Sequence, residues 1–479
     1  MDSQTLANRL FCAKRLRGDI LSKGQCLEFL GKAFDFANDF AYGVEQDRLK
    51  ITMCAPLRRL QQKTQVFPLD VKAASRNRLT HSLEVAQYTR LITYAIAKRV
   101  ESFRQIIHPM ASALHNAALL HDIGNPPFGH FGESLIREWL KSAVNNPHIK
   151  AEIKDTEVDD LLTFNGNAQG LRLVHSIQDL NLTLGQYASV IKVPYTVKEL
   201  ILGKGKGSSG NGIHQDFYSW SYSNAGVFLS ELNVLESVRH NCERDTRHPF
   251  ATIIEYSDDL AYVLADLEDA YDRGLYDKHT IISLCEQMVN YTELEPLREL
   301  LNVNKVKSLF KSNKTEALFY LRDVVSMAFV DDVARAISNN LESFVETGEP
   351  DFSSGDYPGI TALKLLKNFE TINVYNHFEV QTLDLSGASY IKSLFGTYER
   401  LLLETKEDFF KELNAQGGDP FCMRIASRIS RRHKGAYLKG LEQERFSEMY
   451  LRIRLLVDYI SGMTDTFCES EFKILNGQK

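Results

Sequence analysis

Apolar residues recur at helical spacing along most of this chain, and sustained strand-like alternation is scarce. A convincing helix is predicted from Thr80 to about Ser102. Thr80 serves as its cap, and Leu83, Leu91, Ile92, Ala95 and Ile96 as its apolar face. A second runs from about Met110 to Asp122 and stops at Gly124-Asn125-Pro126-Pro127. A third covers 251–272, with Ile253, Ile254, Leu260, Val263, Leu264 and Leu267 facing a core. Residues 1–45 read as short helices and loops, and 48–66 as an amphipathic stretch turning at Pro68. Residues 141–163 read as a charged, irregular surface excursion. Helical stretches near 167–182 and 186–200 precede a glycine-rich loop from Gly203 to Gly212. Helix-period patterns then recur from 280 onward, with breaks at 347–359 and 414–420. No internal repeat or low-complexity tract interrupts this order. The expected fold is all-α, packed into one globular body with its chemistry in the first 275 residues.

Composition narrows the class. The chain has 479 residues, 44% hydrophobic and 25% charged, an ordinary globular balance. Its formal net charge of −6 gives no global basic field to attract nucleic acid. The 7 cysteines are scattered without a CxxC pair, which fits a reducing compartment rather than a zinc ribbon or disulfide framework. The N-terminal stretch has no uninterrupted apolar segment, and no apolar run approaches the ~18 residues of a membrane span. A cytoplasmic protein without membrane attachment is therefore expected.

The main chemical candidate is His81, His121-Asp122 and Asp258, each on or at the end of a predicted helix. Two imidazoles and two carboxylates make a mixed nitrogen–oxygen site suited to Mn²⁺, Mg²⁺, Fe²⁺ or Zn²⁺. An isolated His-Asp dipeptide is weak evidence, because it arises by chance and a lone histidine is commonly structural. Its surroundings change that weighting. Arg76-Asn77-Arg78-Leu79-Thr80-His81-Ser82-Leu83-Glu84-Val85 and the block from His121 through Asn125-Pro126-Pro127-Phe128-Gly129-His130 to Glu133 resemble signature segments of the bacterial dGTP triphosphohydrolases. These belong to the HD superfamily of metallohydrolases. Phe164-Asn165-Gly166-Asn167-Ala168-Gln169-Gly170, Asp258-Asp259-Leu260-Ala261-Tyr262 and Tyr459-Ile460-Ser461-Gly462-Met463-Thr464-Asp465 follow in the family's order, so the likeness spans nearly the whole chain.

The resemblance implies an HD-domain core at 48–275, an N-terminal segment at 1–47 and a C-terminal helical region at 276–479. The last would complete the nucleotide pocket and oligomer contacts. It implies that His81, His121, Asp122 and Asp258 ligate one divalent ion, with Mn²⁺ or Mg²⁺ ahead of Fe²⁺ or Zn²⁺. The implied activity is hydrolysis of dGTP to deoxyguanosine and tripolyphosphate by attack at the α-phosphate. His130 would move a proton or contact the transition state with Glu133 as its partner, a recurrent device. Arg78, Asn167 and Lys192 would hold phosphates. Tyr262 would pack on the deoxyribose where a 2′-OH would clash, and Asp266 and Gln65 would bind the 3′-OH. Tyr375 and Asp384 would stack on and hydrogen-bond the purine. Family members are commonly homo-oligomers, often hexamers, and single-stranded DNA is a possible further partner.

The residues themselves support several of these roles. Tyr262 and Asp266 follow Asp258 by four and eight positions, along one slowly turning helical stripe. Arg58, Arg59, Lys63, Lys72, Arg76 and Arg78 stand against Asp70 alone in 56–81, an excess that fits a polyphosphate mouth. Asp259, Glu268 and Asp269 read as surface charges. The cluster Arg428, Arg431, Arg432 and His433 reads equally as a phosphate contact, a subunit interface or plain surface. Departures from the family pattern weaken the phosphate grip: Val193 replaces a common tyrosine. A further lysine has no clear counterpart in Ile213-His214-Gln215-Asp216-Phe217, unless Lys204 or Lys206 substitutes. Gly205-Lys206-Gly207-Ser208-Ser209-Gly210 spells GxGxxG but lacks the strand–turn–helix context of a dinucleotide site. His108, His115, His148, His175, His240, His248, His279 and His377 take structural readings. Two alternatives stand beside the dGTP reading: a broad-specificity dNTP triphosphohydrolase, or a nucleic-acid-binding regulatory protein keeping the HD scaffold.

Overall fold

The computed structural model describes residues 1–17, 36–69, 75–202, 225–291, 295–298, 300–353 and 355–478, with backbone alone for 36–40 and 295–296. The Gly203–Gly212 loop, its GxGxxG, Lys204, Lys206, Ile213–Phe217, Asp70 and Lys72 lie outside the described residues. Every extended element described is helical, and the only β pairings among the described residues are isolated bridges, Arg15 with Thr183 and Thr64 with Asn77. None of the described helices is long and apolar enough to cross a membrane.

The largest apolar core gathers the helices Arg78–Arg99, Ile107–Leu120, Pro249–Arg273, Lys314–Asn339 and Pro358–Glu370, and takes in Leu6 and Leu10 as well. A second core joins Gly129–Ala143, Phe378–Tyr398 and Glu448–Ser461. The His-Asp dipeptide and the turn after it connect these two bodies of helices.

The Arg78–Arg99 helix starts two residues before the predicted position. Asn77 is its cap, accepting from the backbone N–H of Leu79 and Thr80, while Thr80 Oγ1 accepts from Asn77 N–H at 3.0 Å. That reciprocal arrangement fills both orphan donors at the helix start. The predicted apolar face is also rotated. Leu83 and Leu91 are 51% and 44% exposed, whereas Ser82, Val85, Ala86, Thr89, Ile92, Thr93 and Ile96 are buried. The polar members of this face satisfy themselves locally: Ser82, Thr89 and Thr93 each donate 2.8 Å bonds to the carbonyl four residues earlier.

The segment 141–163 is not an irregular excursion. It forms the helices Pro147–Glu152 and Asp155–Leu162, and the acids Glu157 and Asp160 are buried. Asp160 accepts from Leu229 N–H at 2.8 Å, from the Tyr450 hydroxyl at 2.7 Å and from Arg454. The Arg454 guanidinium, fully buried, lies 3.7 Å from the centre of the Phe228 ring. A companion network joins Arg172 to Asp458 at 2.7 Å and to Glu231 at 3.2 Å. These charges carry the C-terminal Glu448–Ser461 helix onto the first half of the chain.

Removing one member of a buried pair strands the other, whereas exposed pairs contribute little. Asp160→Ala should therefore lower the unfolding free energy by about 3–5 kcal/mol in urea titrations. Truncating Arg17, whose pairing with Asp179 is largely exposed, should cost less than about 1 kcal/mol.

Candidate metal and nucleotide site

Three helices supply the four expected ligands. His81 comes from the first turn of Arg78–Arg99, His121 and Asp122 from just beyond Ile107–Leu120, and Asp258 from the middle of Pro249–Arg273. His81 Nε2 is 2.9 Å from Asp258 Oδ1, and His121 Nε2 is 3.5 Å from the same oxygen and 3.6 Å from Asp122 Oδ1. Donor atoms of His81, His121 and Asp122 all lie within 4.8 Å of one another. Such spacings suit neighbouring donors held about 2.0–2.2 Å from a common ion.

The protonation geometry fits as well. His121 Nδ1 lies 2.6 Å from the Ala118 carbonyl, which fixes that nitrogen as the donor. The other nitrogen, Nε2, then faces the carboxylates, buried and without a hydrogen-bond partner, and its lone pair is the one a cation would take in place of a proton. Asp122 is braced by Arg78, 2.6 Å from Oδ2, and by the Asn125 amide, 2.5 Å from Oδ1. Burial works against charge on Asp122, but Arg78, His121 and His81 outweigh it and hold the carboxyl at about 2. Burial likewise opposes protonation of His121, yet Asp122 and Asp258 raise its imidazole to about 9. Asp258 is held well below the usual carboxylate range: burial would raise it, and His121 and His81 prevail. Without a cation, the cluster attracts a proton to His121. An N₂O₂ donor set with this appetite for positive charge fits one divalent metal ion.

The Pro126-Pro127-Phe128-Gly129 turn is shaped by this site. Phe128 and Gly129 both take left-handed φ, 60° and 56°. A Cβ at Gly129 would stand 2.6 Å from an Arg78 guanidinium nitrogen, so glycine gives that side chain its path to Asp122. The last sequence block holds the turn in place. Asp465 accepts from Phe128 N–H at 3.0 Å and from Thr64 N–H at 2.8 Å. Buried Lys63 ties the Asn125 carbonyl to the Ser461 carbonyl.

The ligands open into a cavity of about 470 Å³, within the range of small-molecule sites. Gln65, Arg78, His130, Glu133, Asn167, Lys192, Tyr262, Asp266 and Tyr375 all line it. Asp384 does not line it. Half-buried on the Phe378–Tyr398 helix, its carboxyl is pushed up to about 6 by burial. His130 is highly exposed, with Nδ1 3.9 Å from Glu133 Oε2, too long for a hydrogen bond. Glu133 instead accepts from Gly166 N–H at 3.1 Å and from Arg137 at 3.0 Å. The Tyr375 hydroxyl donates to Asp266, whose carboxyl burial pushes up to about 7. Tyr375 ends a π-helical turn, Thr371–Tyr375, a distortion often found at functional sites.

The basic run in 56–81 is not a polyphosphate mouth. Of its described members only Arg78 lines the cavity. Lys63 is buried under the turn, Arg59 donates to the Gly462 carbonyl at 2.7 Å, and Arg76 is held by Glu84, Glu268 and Asp269. Glu268 and Asp269 are thus paired rather than solvated, and so is Asp259, 2.8 Å from Lys367. Arg428, Arg431, Arg432 and His433 lie outside the cavity: Arg428 pairs with Glu471, Arg432 donates to Gln178 at 3.1 Å, and His433 is buried. Sequence reasoning missed Glu255 and Lys367. Glu255 holds Lys192 at 3.0 Å and also pairs with Arg247. It lies one turn before Asp258, a helical spacing that could have marked it. Lys367 stands 5.1 Å above the Tyr262 ring, and nothing in its own neighbourhood of sequence signals this.

This helical frame and its ligand cluster define a class. The HD domain family model matches residues 78–160. Over nearly its full length the chain is 32% identical to the deoxyguanosinetriphosphate triphosphohydrolase of Enterobacter sp. (strain 638), covering 90% of this chain and 93% of that protein. The proteins of the same name from Serratia proteamaculans (strain 568) and Yersinia pseudotuberculosis serotype O:3 (strain YPIII) are also 32% identical. They cover 91% and 90% of this chain, and the match spans 94% and 93% of their own lengths. The chain belongs to the deoxyguanosinetriphosphate triphosphohydrolase family of HD-domain enzymes.

Metal content gives a direct check. The protein loaded with Mn²⁺ and desalted should carry one ion at this cluster, and Asp258→Ala or His121→Ala should lose it. Retention of that ion by both variants would reject the ligand assignment.

Proposed function

We propose that this protein hydrolyses dGTP to deoxyguanosine and tripolyphosphate. The observation that carries the reading is the opening of the His81–His121–Asp122–Asp258 cluster into a cavity shared with Tyr262 and Asp266, in a chain whose relatives bear that activity in their names. A divalent ion at the cluster, Mn²⁺ or Mg²⁺ ahead of Fe²⁺ or Zn²⁺, would supply Lewis acidity toward the α-phosphate and a water.

The chain's own residues do the rest. Arg78, Asn167 and Lys192 bind the triphosphate, and a planar guanidinium matches phosphate oxygens well. Water attacks the α-phosphorus, the O5′–Pα bond breaks, and the tripolyphosphate leaves with Pα. His130 exchanges the proton at the reacting oxygens. Its exposure leaves its ring room to swing toward substrate, and Glu133, fixed by Gly166 and Arg137, is the nearby carboxylate that would steady it. Tyr262 covers the sugar face where a ribose would carry its 2′-OH, and Asp266 with Gln65 accepts and donates at the 3′-OH. Gln65 Oε1 is buried without a hydrogen-bond partner, a group a sugar hydroxyl would satisfy. Tyr375 stacks on the base.

The C-terminal region 276–479 completes the pocket through Lys367 and Tyr375, alongside the 48–275 core and the 1–47 segment. The homo-oligomer, a hexamer by resemblance, draws support from Leu83, Leu91 and Tyr94, which line up exposed on one side of the Arg78–Arg99 helix. A cytoplasmic setting, where deoxynucleotides occur, accompanies this reading. A second reading, relaxed hydrolysis of several dNTPs, is favoured by the position of Asp384 outside the cavity lining, since a carboxylate there gives less guanine selection.

Incubation with each dNTP and with GTP, in Mg²⁺ and separately in Mn²⁺, should yield deoxyguanosine and intact tripolyphosphate fastest from dGTP. Equal rates for all four dNTPs would select the second reading, and pyrophosphate or monophosphate as product would reject both. Tyr262→Ala should narrow the preference for dGTP over GTP, read as the ratio of kcat/KM. His130→Ala should keep its metal while slowing turnover about 10²-fold or more.

A further inference from the structure

A second set of donors converges well away from the nucleotide cavity, where three helical segments end. Glu404 caps the C-terminus of Arg400–Leu403, Glu412 lies in the last turn of Lys406–Leu413, and Cys422 lies in the first turn of Pro420–Arg428. One donor atom from each, two carboxylate oxygens and a sulfur, lies within 4.8 Å of the others. Cys422 Sγ donates to Glu404 Oε1 at 3.5 Å.

The position of Glu412 requires explanation. It is 1% exposed, and its Oε1 accepts from Asp419 N–H at 2.8 Å. Its Oε2 is buried with no hydrogen-bond partner. Among the described residues no lysine or arginine pairs with Glu404 or Glu412. The 414–420 loop closes directly over this side chain: Gly418 has φ +112°, and a Cβ there would stand 2.5 Å from Glu412 Cγ. The loop thus buries a carboxylate oxygen and leaves it unsatisfied, at a cost that no hydrogen-bond partner among the described residues offsets. Burial accordingly pushes the Glu412 carboxyl up and the Cys422 thiol up to about 12. A cation would reverse both shifts, and the N-terminal turn of a helix favours the thiolate.

We propose that Glu404, Glu412 and Cys422 form a second metal site, selective for a borderline divalent ion of the Zn²⁺ class. Sulfur with two carboxylate oxygens suits such an ion better than Mg²⁺ or Mn²⁺, and water fills the remaining position of a tetrahedron. Binding releases the thiol proton to solvent, and the bound ion ties the ends of three helical segments together as a structural clamp. Glu404, only partly covered, is the side from which the ion enters.

Sulfur ligation separates this site from the catalytic cluster, which has only nitrogen and oxygen donors. The full-length protein, stripped with chelator and kept reduced, is titrated with Co²⁺ and separately with Cd²⁺ while thiolate-to-metal charge-transfer absorption is followed. The expected result is a band saturating at a single sulfur-bound ion per chain. Cys422→Ser abolishes it, and Glu412→Gln weakens binding about tenfold or more. No band in the unaltered protein overturns the proposal, as does an undiminished band in Cys422→Ser. Should that variant fail to fold, the unaltered protein and Glu412→Gln decide the matter. Full-affinity binding in Glu412→Gln would equally reject the site.

Discussion

The largely covered carboxylate of Asp122 is the constraint around which this molecule is arranged. A charge in that position survives only with close partners. Arg78 supplies one at Oδ2, Asn125 and His121 lie at Oδ1, and His81 adds its charge nearby. Each partner fixes something larger. Arg78 reaches Asp122 only because Gly129 leaves it space, which dictates the left-handed turn after Pro127. That turn requires Asp465 on Phe128 N–H, and Lys63 bridges Asn125 to Ser461, so the C-terminal segment becomes part of the site's support. The networks of Asp160 with Arg454 and Arg172 with Asp458 then hold that segment onto the first half of the chain. Continuity from ligand to C-terminus explains why the family likeness extends over about 90% of the chain although the HD model matches only 78–160.

The helical class and the convergence of the candidate ligands were legible in the sequence because both are written locally. Helical periodicity and the Gly-Asn-Pro-Pro stop mark the helices, and the four candidate ligands lie inside long, distinctive blocks. Burial was less legible. On Arg78–Arg99 the hidden face carries Ser82, Thr89 and Thr93, whose hydroxyls bond back along the helix, while Leu83 and Leu91 face outward. A hydrophobic stripe cannot reveal a face of this kind. The same blindness made 141–163 look like surface, since Asp160 finds its partners at Tyr450 and Arg454, 290 and 294 residues away.

Local charge counts misled for a related reason. The basic residues of 56–81 suggested an open phosphate surface, yet Lys63 and Arg76 are committed to carbonyls and to distant acids. Charge that is paired in three dimensions is still counted as free in a linear tally. Lys367 is the converse case, arriving at the cavity from the C-terminal half with no local mark. Asp384, expected by resemblance to hydrogen-bond the purine, stands outside the cavity lining.

The charge balance of the cavity bears on substrate binding itself. Among the described residues its lysines and arginines are Arg78, Lys192 and Lys367, and each is already paired with an acid: Asp122, Glu255 and Asp259 respectively. Glu133, Asp258 and Asp266 line it in addition. A triphosphate approaching these described walls alone would meet no surplus of positive side-chain charge among them, apart from the proton that the cluster draws onto His121. On the proposed function, phosphate binding and cation binding at the His-Asp cluster would therefore be coupled, each raising affinity for the other by the same factor. On the proposed function a cation at the cluster would serve recognition as well as reaction, and the modest number of basic residues among the described cavity walls fits that division of labour.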